Sequence, residues 1–275
     1  MARVARAHLP CHAPPRLYDR PMDDLALLDL AFTLAHEAGE KILAVRARGF
    51  DTRAKADQSP VTEADHAAEA LIVAALRAAT PDIPVIAEEE VAAGVAPAHA
   101  DLCWLVDPLD GTREFSAGRD EFAVCIGLVR DGISVIGAVG APAQKRVYGG
   151  IVGRGAWMRD ATGEHPIAAR QPPPAGLDVV ASRHSGSDPR LAPYLAGRPV
   201  ASLLNIGSAL KFCHLAEGRA DLYPRFGRTM EWDTAAAQAV LEAAGGTVRV
   251  IATGAPLRYG KPGWEYPDFI CTGCA

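Results

Sequence analysis

The sequence predicts an α+β lobe with an antiparallel sheet, followed by an α/β lobe. Three observations carry that prediction. Two helical periodicities open the chain and lead into a run of hairpin-linked strands. A Pro-rich stretch over 161–176 then breaks the pattern. Beyond it strands and helices alternate. The expected organisation is residues 1–21 as a disordered extension, with Met22 a plausible start, 22–165 as the N-terminal lobe and 166–275 as the C-terminal lobe.

Leu27, Ala31, Leu34, Ala38, Ile42 and Val45 recur at helical spacing and predict an amphipathic helix over 23–46. Phe50 to Ser59 is polar and loop-like. Ser59-Pro60-Val61 is extended, because the residue before proline avoids the α region. Thr62 starts a second helix, with Asp65 placed as in a capping box. Pro84 to Ala87 is a short apolar strand ending in Glu88-Glu89-Glu90, and 91–101 is a loop. Trp104 to Val106 is a buried strand that breaks at Asp107-Pro108 and Asp110-Gly111. Strands over 121–130 and 133–140 flank an Asp131-Gly132 turn, and a third lies near 147–152. In the second lobe 177–181 and 220–223 read as strands, 188–196 and 207–217 as helices. A helix over 234–244 stops at Gly245-Gly246, and strands near 247–251 and 268–271 close the chain.

With 275 residues, 49% of them hydrophobic and 22% charged, the chain has enough apolar mass for a large core. A net charge of −5 disfavours a nucleic-acid polymer as partner. No apolar run reaches membrane-spanning length. Residues 1–19 carry Arg3, Arg6 and Arg16 but no apolar centre of a secretory signal. Six scattered cysteines without an export signal suggest reduced thiols and a cytoplasmic protein. Cys271-Thr-Gly-Cys274 stands alone and lacks two further zinc ligands.

The chemistry centres on 104–115. Asp107, Asp110 and the Leu109 carbonyl form an all-oxygen set on one turn, which suits a hard cation such as Mg2+. Gly111 allows a close backbone approach, and Thr112 adds a hydroxyl. Taken alone, the same residues also describe an ordinary surface turn. Glu88 ends the preceding strand; if the two strands are neighbours, the carboxylates converge. A run of three glutamates is otherwise a solvated corner. Asp233 suits the N-cap of the last long helix, and that helix start suits an anion. Lys55, Asp57, Thr62 and Asp65 lie upstream as surface polarity and caps.

Four motifs in order, Pro60-Val-Thr-Glu-Ala-Asp65, Glu88-Glu89, Asp107-Pro-Leu-Asp-Gly-Thr112 and Glu231-Trp-Asp-Thr-Ala235, resemble those of the Mg2+-dependent, lithium-sensitive phosphatases that include inositol monophosphatase. The likeness runs from about residue 23 to the end. Lys55 to Thr62, Ser208 to Cys213, Ala216-Glu-Gly218 and Leu222 to Gly227 are most similar to the CysQ-type 3'(2'),5'-bisphosphate nucleotidases of that family. The resemblance implies a layered α-β-α-β-α sandwich with a mixed second sheet. It implies two or three Mg2+ ions, inhibited by lithium, held by Glu88, Asp107, the Leu109 carbonyl, Asp110 and Asp233. Asp65 and Thr112 would orient or deprotonate the attacking water, with Glu88 also catalytic and Glu89 and Glu90 behind it. Gly111, Thr112 and Arg113 would offer N–H groups to the phosphate. Ser208, Lys211, Arg225 and Asp233 would contact the substrate, Lys211 and Arg225 as a second anion site and His184 beside the base. Ala87 departs from the Ser or Gly common before the Glu pair, without touching a ligand.

The implied partner is a small nucleotide bisphosphate, adenosine 3',5'-bisphosphate, cleaved to AMP and phosphate within sulfate assimilation. An inositol-phosphate or sugar-phosphate phosphatase is the alternative, and a non-catalytic phospho-ligand sensor is the alternative of another class. Localisation is cytoplasmic, with peripheral association at the inner membrane left open, as is the oligomeric state.

Overall fold

The computed structural model describes residues 23–55, 60–95, 100–183 and 188–274. The expectations for 1–21, Met22, Cys11, Asp57 and His184 fall outside them. Helix α1 (Asp24–Arg48) starts where the Asp23 side chain accepts from the Ala26 N–H at 2.9 Å and ends at Gly49 with φ +82°. Strands β1 (Thr52–Ala54) and β2 (Pro60–Thr62) pair as a small antiparallel ribbon. Helix α2 (Glu63–Ala79) follows, capped as expected by Thr62 and Asp65.

The first large sheet has seven strands in chain order. They are β3 (Val85–Ala87), β4 (Leu102–Asp110), β5 (Ala123–Arg130), β6 (Ile133–Ala141), β7 (Arg146–Ile151), β8 (Gly155–Asp160) and β9 (Gly163–Ile167). Two single-turn helices interrupt it, α3 (Glu88–Ala92) and α4 (Thr112–Ser116). All neighbours are antiparallel except β3 and β4, which are parallel. Asp131 at φ +52° and Gly132 at φ +71° make the hairpin turn whose twist matches its strands.

The second sheet is built from β10 (Leu177–Ser182), β11 (Val200–Ile206), β12 (Leu222–Arg225), β13 (Thr247–Val250) and β14 (Phe269–Thr272), in the order β11-β10-β12-β14-β13. It is mixed: β10 runs parallel to β11 and β12, and β14 antiparallel to β12 and β13. Helices α5 (Leu191–Leu195), α6 (Leu210–Ala216) and α7 (Glu231–Ala243) belong to this half.

Along β5, Val124, Ile126 and Leu128 join α1 and α2 in one core, while Ala123, Cys125 and Val129 join α6, α7 and the second sheet in another. A small cluster of Ala181, Leu191 and Phe226 seats α5 on the outer side. The layers are therefore helices, sheet, helices, sheet, helix, the expected sandwich. Glycines set the central spacing. A Cβ on Gly137 would lie 2.0 Å from the Ala236 carbonyl oxygen, and one on Gly127 2.6 Å from the Ala236 nitrogen. Helix α7 thus lies directly on the sheet.

Several details differ from the sequence reading. Strand β4 does not break at Asp107-Pro108 but continues to Asp110 with an irregular register, since Pro108 has no N–H for the ladder. Strand β9 occupies part of the Pro-rich stretch and spans the position where the sequence puts the lobe boundary. Helix 188–196 shrinks to one turn. Strand β11 was not expected at all: its first six residues are exposed, so no alternation of apolar and polar positions marks it.

Candidate active site

The parallel pairing of β3 with β4 does the first work. Ala87 lies opposite Val106, so Glu88, the first residue after β3, comes beside Asp107 within β4. Asp107 is 2% exposed, and its Oδ1 accepts from the Leu109 N–H at 3.0 Å. Asp110 ends β4 and accepts the Ala209 N–H through Oδ2. Gly111 has φ +93°, and a Cβ there would meet the Glu121 carbonyl oxygen at 3.0 Å and the Ser208 Cβ at 3.2 Å. Only glycine suits both the turn and the close approach.

Asp233 comes from the opposite layer. It is not the N-cap of its helix, as its position before an apolar run suggested. Helix α7 starts at Glu231, Met230 is the N-cap, and Asp233 at the third helical position accepts the Met230 N–H at 2.9 Å. The start moves upstream because Glu231, fully buried, receives Gly260 N–H at 2.8 Å and Lys261 N–H and Nζ at 2.9 Å each.

The carboxylates repel one another. Burial, then the charges of Glu88, Asp110 and Asp233, hold Asp107 well above the ordinary carboxylate range. Burial raises Asp110 to about 6 against the opposing pull of Lys211, and burial with Asp110 and Glu88 raises Asp233 to about 8. Two lysines offset the charge. Lys55 Nζ lies 2.6 Å from Glu88 and 2.5 Å from Glu89. Burial would lower its pKa, but the two glutamates outweigh it and raise it. Lys211 is 4% exposed, not a solvated helical lysine; burial lowers it to about 8 despite Asp110. Its ammonium donates to the Ile206 carbonyl at 3.3 Å and to the Ser208 carbonyl.

Among the described residues no three His, Cys, Asp or Glu side chains stand at ready ligand spacing. Lys55 holds Glu88, backbone N–H groups hold the three aspartates, and a hydrogen bond between the Asp107 and Glu88 side chains joins two of the carboxylates. The donor set still fits one group: buried, all-oxygen and mutually repelling carboxylates are the chemistry that a hard divalent cation relieves.

Asp65 and Thr112 meet as a pair. Thr112 Oγ1 lies 3.1 Å from Asp65 Oδ1 and 3.0 Å from the Leu109 carbonyl. Asp65, 1% exposed, accepts the Thr62 N–H and hydroxyl through Oδ2, both at 2.7 Å. Burial raises its pKa, opposed by the Thr62 hydrogen bonds. Thr112 lines a cleft of about 1080 Å³ together with Glu88, Asp110, Gly111, Ser208, Lys211, Arg225 and Asp233, and Asp65 lies buried behind it. Arg225 Nε donates to Thr229 Oγ1 at 2.8 Å and its Nη2 to the Arg228 carbonyl at 2.8 Å.

Three residues carry more than the sequence suggested. Lys55 looked like surface polarity but neutralises Glu88 and Glu89. Glu69 accepts the Glu89 and Glu90 N–H groups at 2.8 and 3.0 Å and so holds the turn that begins with Glu88; its place one turn after Asp65 was the available signal. Glu121 bridges Arg183 and the Gly207 N–H, fixing the loop before Lys211. The cysteines are structural: Cys103, Cys125, Cys213 and Cys271 are buried, and no described cysteine is in a disulfide.

The model of the inositol monophosphatase family matches residues 23–268. A 3'(2'),5'-bisphosphate nucleotidase CysQ of Escherichia coli O157:H7 is 43% identical over 235 residues, 85% of this chain and 94% of that protein. Among solved structures, CysQ from Bacteroides thetaiotaomicron is 34% identical with a TM-score of 0.74, covering 90% of this chain and 97% of its own. An inositol monophosphatase from Anabaena (Nostoc) is 26% identical with a TM-score of 0.71, covering 91% of each.

Proposed function

This chain belongs to the inositol monophosphatase family, and from that membership we infer that it is a metal-dependent 3'(2'),5'-bisphosphate nucleotidase removing the 3'-phosphate of adenosine 3',5'-bisphosphate to leave AMP and phosphate. The likeness to CysQ over 85% of the chain supports the substrate. The carrying observation for the chemistry is the Asp65–Thr112 hydrogen bond, with Thr112 lining one cleft together with Glu88, Asp110 and Asp233.

Glu88, Asp107, the Leu109 carbonyl, Asp110 and Asp233 would hold two or three Mg2+ ions. Bound there, Mg2+ supplies neutralisation of the phosphate oxygens and a lowered pKa for water. The chain's own groups do the rest. Asp65, fixed by Thr62, accepts the Thr112 hydroxyl proton and leaves the Thr112 oxygen lone pairs to receive a hydrogen bond from the attacking water. The pair therefore orients water and relays its proton toward Asp65. Gly111 brings the backbone close enough for the first turn of α4 to face the phosphate. Arg225 gives the cleft wall positive charge for the phosphate that is not cleaved, while Lys211, buried beside Asp110, offsets the charge of the carboxylates.

The working compartment we infer is the cytoplasm. Among the described residues no helix is long and apolar enough to cross a membrane. Steady-state kinetics with Mg2+, with and without lithium, test the activity on adenosine 3',5'-bisphosphate and inositol 1-phosphate. A preference for the nucleotide and loss of turnover in lithium are expected. A preference for inositol phosphate would overturn the substrate, and tight nucleotide binding without turnover would overturn catalysis.

A further inference from the structure

Five lysine and arginine side chains line the cleft: Lys55, Arg113, Lys211, Arg225 and Arg228. Four are committed. Lys55 is paired with Glu88 and Glu89. Lys211 donates to the Ile206 and Ser208 carbonyls. Arg225 donates to Thr229 and to the Arg228 carbonyl, and Arg228 to Glu265. Arg113 is different. It is exposed, and among the described residues no carboxylate, carbonyl or ring holds its guanidinium.

The backbone that carries it is fixed on both sides. Before it, Thr112 donates to Asp65 at 3.1 Å or to the Leu109 carbonyl at 3.0 Å, and Gly111 is wedged against the Glu121 carbonyl and Ser208. After it, Glu114 and Phe115 are buried. The Phe115 ring stacks on Phe50 at 4.5 Å and meets Phe122 edge-on at 5.2 Å. Just beyond α4, Arg46 of α1 donates to the Gly118 carbonyl at 2.6 Å and pairs with Asp120 at 2.8 Å. An uncommitted cation therefore stands on a rigid base, one residue from the hydroxyl that orients the water. A helical Cα–Cβ bond tilts toward the helix start. The Arg113 side chain thus leans toward Gly111 and Thr112, which line the same cleft.

We propose that the Arg113 guanidinium binds the non-bridging oxygens of the scissile phosphate, and so is a catalytic residue through its side chain. The proposal rests on the phosphatase reading of the site. In phosphoryl transfer the negative charge is spread over three such oxygens. Lys55 spends its charge on glutamates and Lys211 its donors on a loop, whereas Arg113 has a whole charge and a planar fork of N–H donors to give. In the step it serves, the water oxygen forms the new bond to phosphorus and the ester P–O bond breaks. One water proton passes toward Asp65, and the leaving oxygen takes a proton from solvent. Arg113 stays protonated throughout and only donates hydrogen bonds.

The test is kcat/KM in Mg2+ for adenosine 3',5'-bisphosphate and for 2-glycerophosphate, which share only the scissile group. Arg113→Ala removes no hydrogen bond of the fold, so it should melt as wild type does. It should lose about a hundredfold on both esters, chiefly in kcat. Arg113→Lys should recover part of the loss. Guanidinium chloride at low millimolar concentration should raise the rate of Arg113→Ala and not that of wild type. Unchanged kinetics overturn the proposal. So does a loss confined to the nucleotide, which would put Arg113 on a group that glycerophosphate lacks. So does an equal loss with a lowered Tm and no response to guanidinium, which would make Arg113 a packing residue of α4. A wild type that turns over neither ester sinks the phosphatase reading and this proposal with it. A wild type that turns over both, matched by Arg113→Ala, sinks this proposal alone.

Discussion

At the residue scale the two cations of the expected second anion site part company. Lys211 is buried beside Asp110, with its ammonium committed to two carbonyls. Removing it strips Asp110 of an offsetting charge and takes a donor from the Ile206 and Ser208 carbonyls. Lys211→Ala is therefore expected to lower kcat on nucleotide and glycerophosphate alike. Arg225 lies at the cleft wall, so Arg225→Ala should raise KM for the bisphosphate about tenfold or more, with a smaller effect on a monophosphate. Equal effects of Arg225→Ala on both would remove the second anion site. His214, on the same helix as Lys211, supplies a pH prediction. Burial, then Arg219 and Lys211, lowers its pKa from 6.5 to about 4. A group with a depressed folded pKa stays neutral in the fold while the unfolded chain takes up a proton. Its contribution is whole above pH 6.5 and is lost as pH falls toward 4, by up to about 3 kcal/mol. Urea midpoints at pH 7.5 and 5 should converge in His214→Gln relative to wild type; an unaltered acid loss would exclude His214 as its source.

At the element scale the site depends on where α7 sits. Gly137 and Gly127 let the helix backbone touch the sheet, and the helix start carries Glu231, Trp232 and Asp233. Gly137→Ala places a methyl 2.0 Å from a carbonyl oxygen, so the helix must move. A loss of about 1–3 kcal/mol in stability is expected, with weakened Mg2+ binding because Asp233 moves too. Calorimetry on the purified variant would read both, and retention of wild-type Mg2+ affinity would show that α7 is not the ruler for Asp233. Little of this was legible beforehand. The capping box at Thr62 and Asp65 was, because its four residues are local. So was the hairpin at Asp131-Gly132, whose turn chemistry is local as well. That Glu88 stands beside Asp107 followed only if β3 and β4 were neighbours, a long-range pairing with no local signature. The start of α7 was misread by three residues because Glu231 is held by a loop some thirty positions later. Strand β11 escaped because an exposed edge strand needs no amphipathic pattern.

At the scale of the whole molecule the site works against the fold that holds it. The sandwich brings together Glu88 from the turn after β3, Asp107 and Asp110 from β4 and Asp233 from the middle helix layer. Such convergence of like charges costs stability, and the layered core on either side of α7 has to offset it. The sequence disclosed the carboxylates because four motifs recur in order, but not their cost, which arises from burial that only the assembled layers create. A cation that binds the folded chain and not the unfolded one should return part of that cost. At a Mg2+ concentration about a hundredfold above Kd the gain is about 2.7 kcal/mol, or roughly 5 °C in Tm for a chain of this size. Asp233→Asn removes one charge from the cluster and one ligand from the cation. The metal-free variant should therefore melt higher than metal-free wild type, and added Mg2+ should raise its Tm by less. Scanning calorimetry of both proteins in chelator and in Mg2+ gives all four values. A metal-free Asp233→Asn protein less stable than wild type would mean that the hydrogen bond to Met230 outweighs the repulsion. The carboxylate cluster would then be a net support of α7 rather than a strain awaiting its ion.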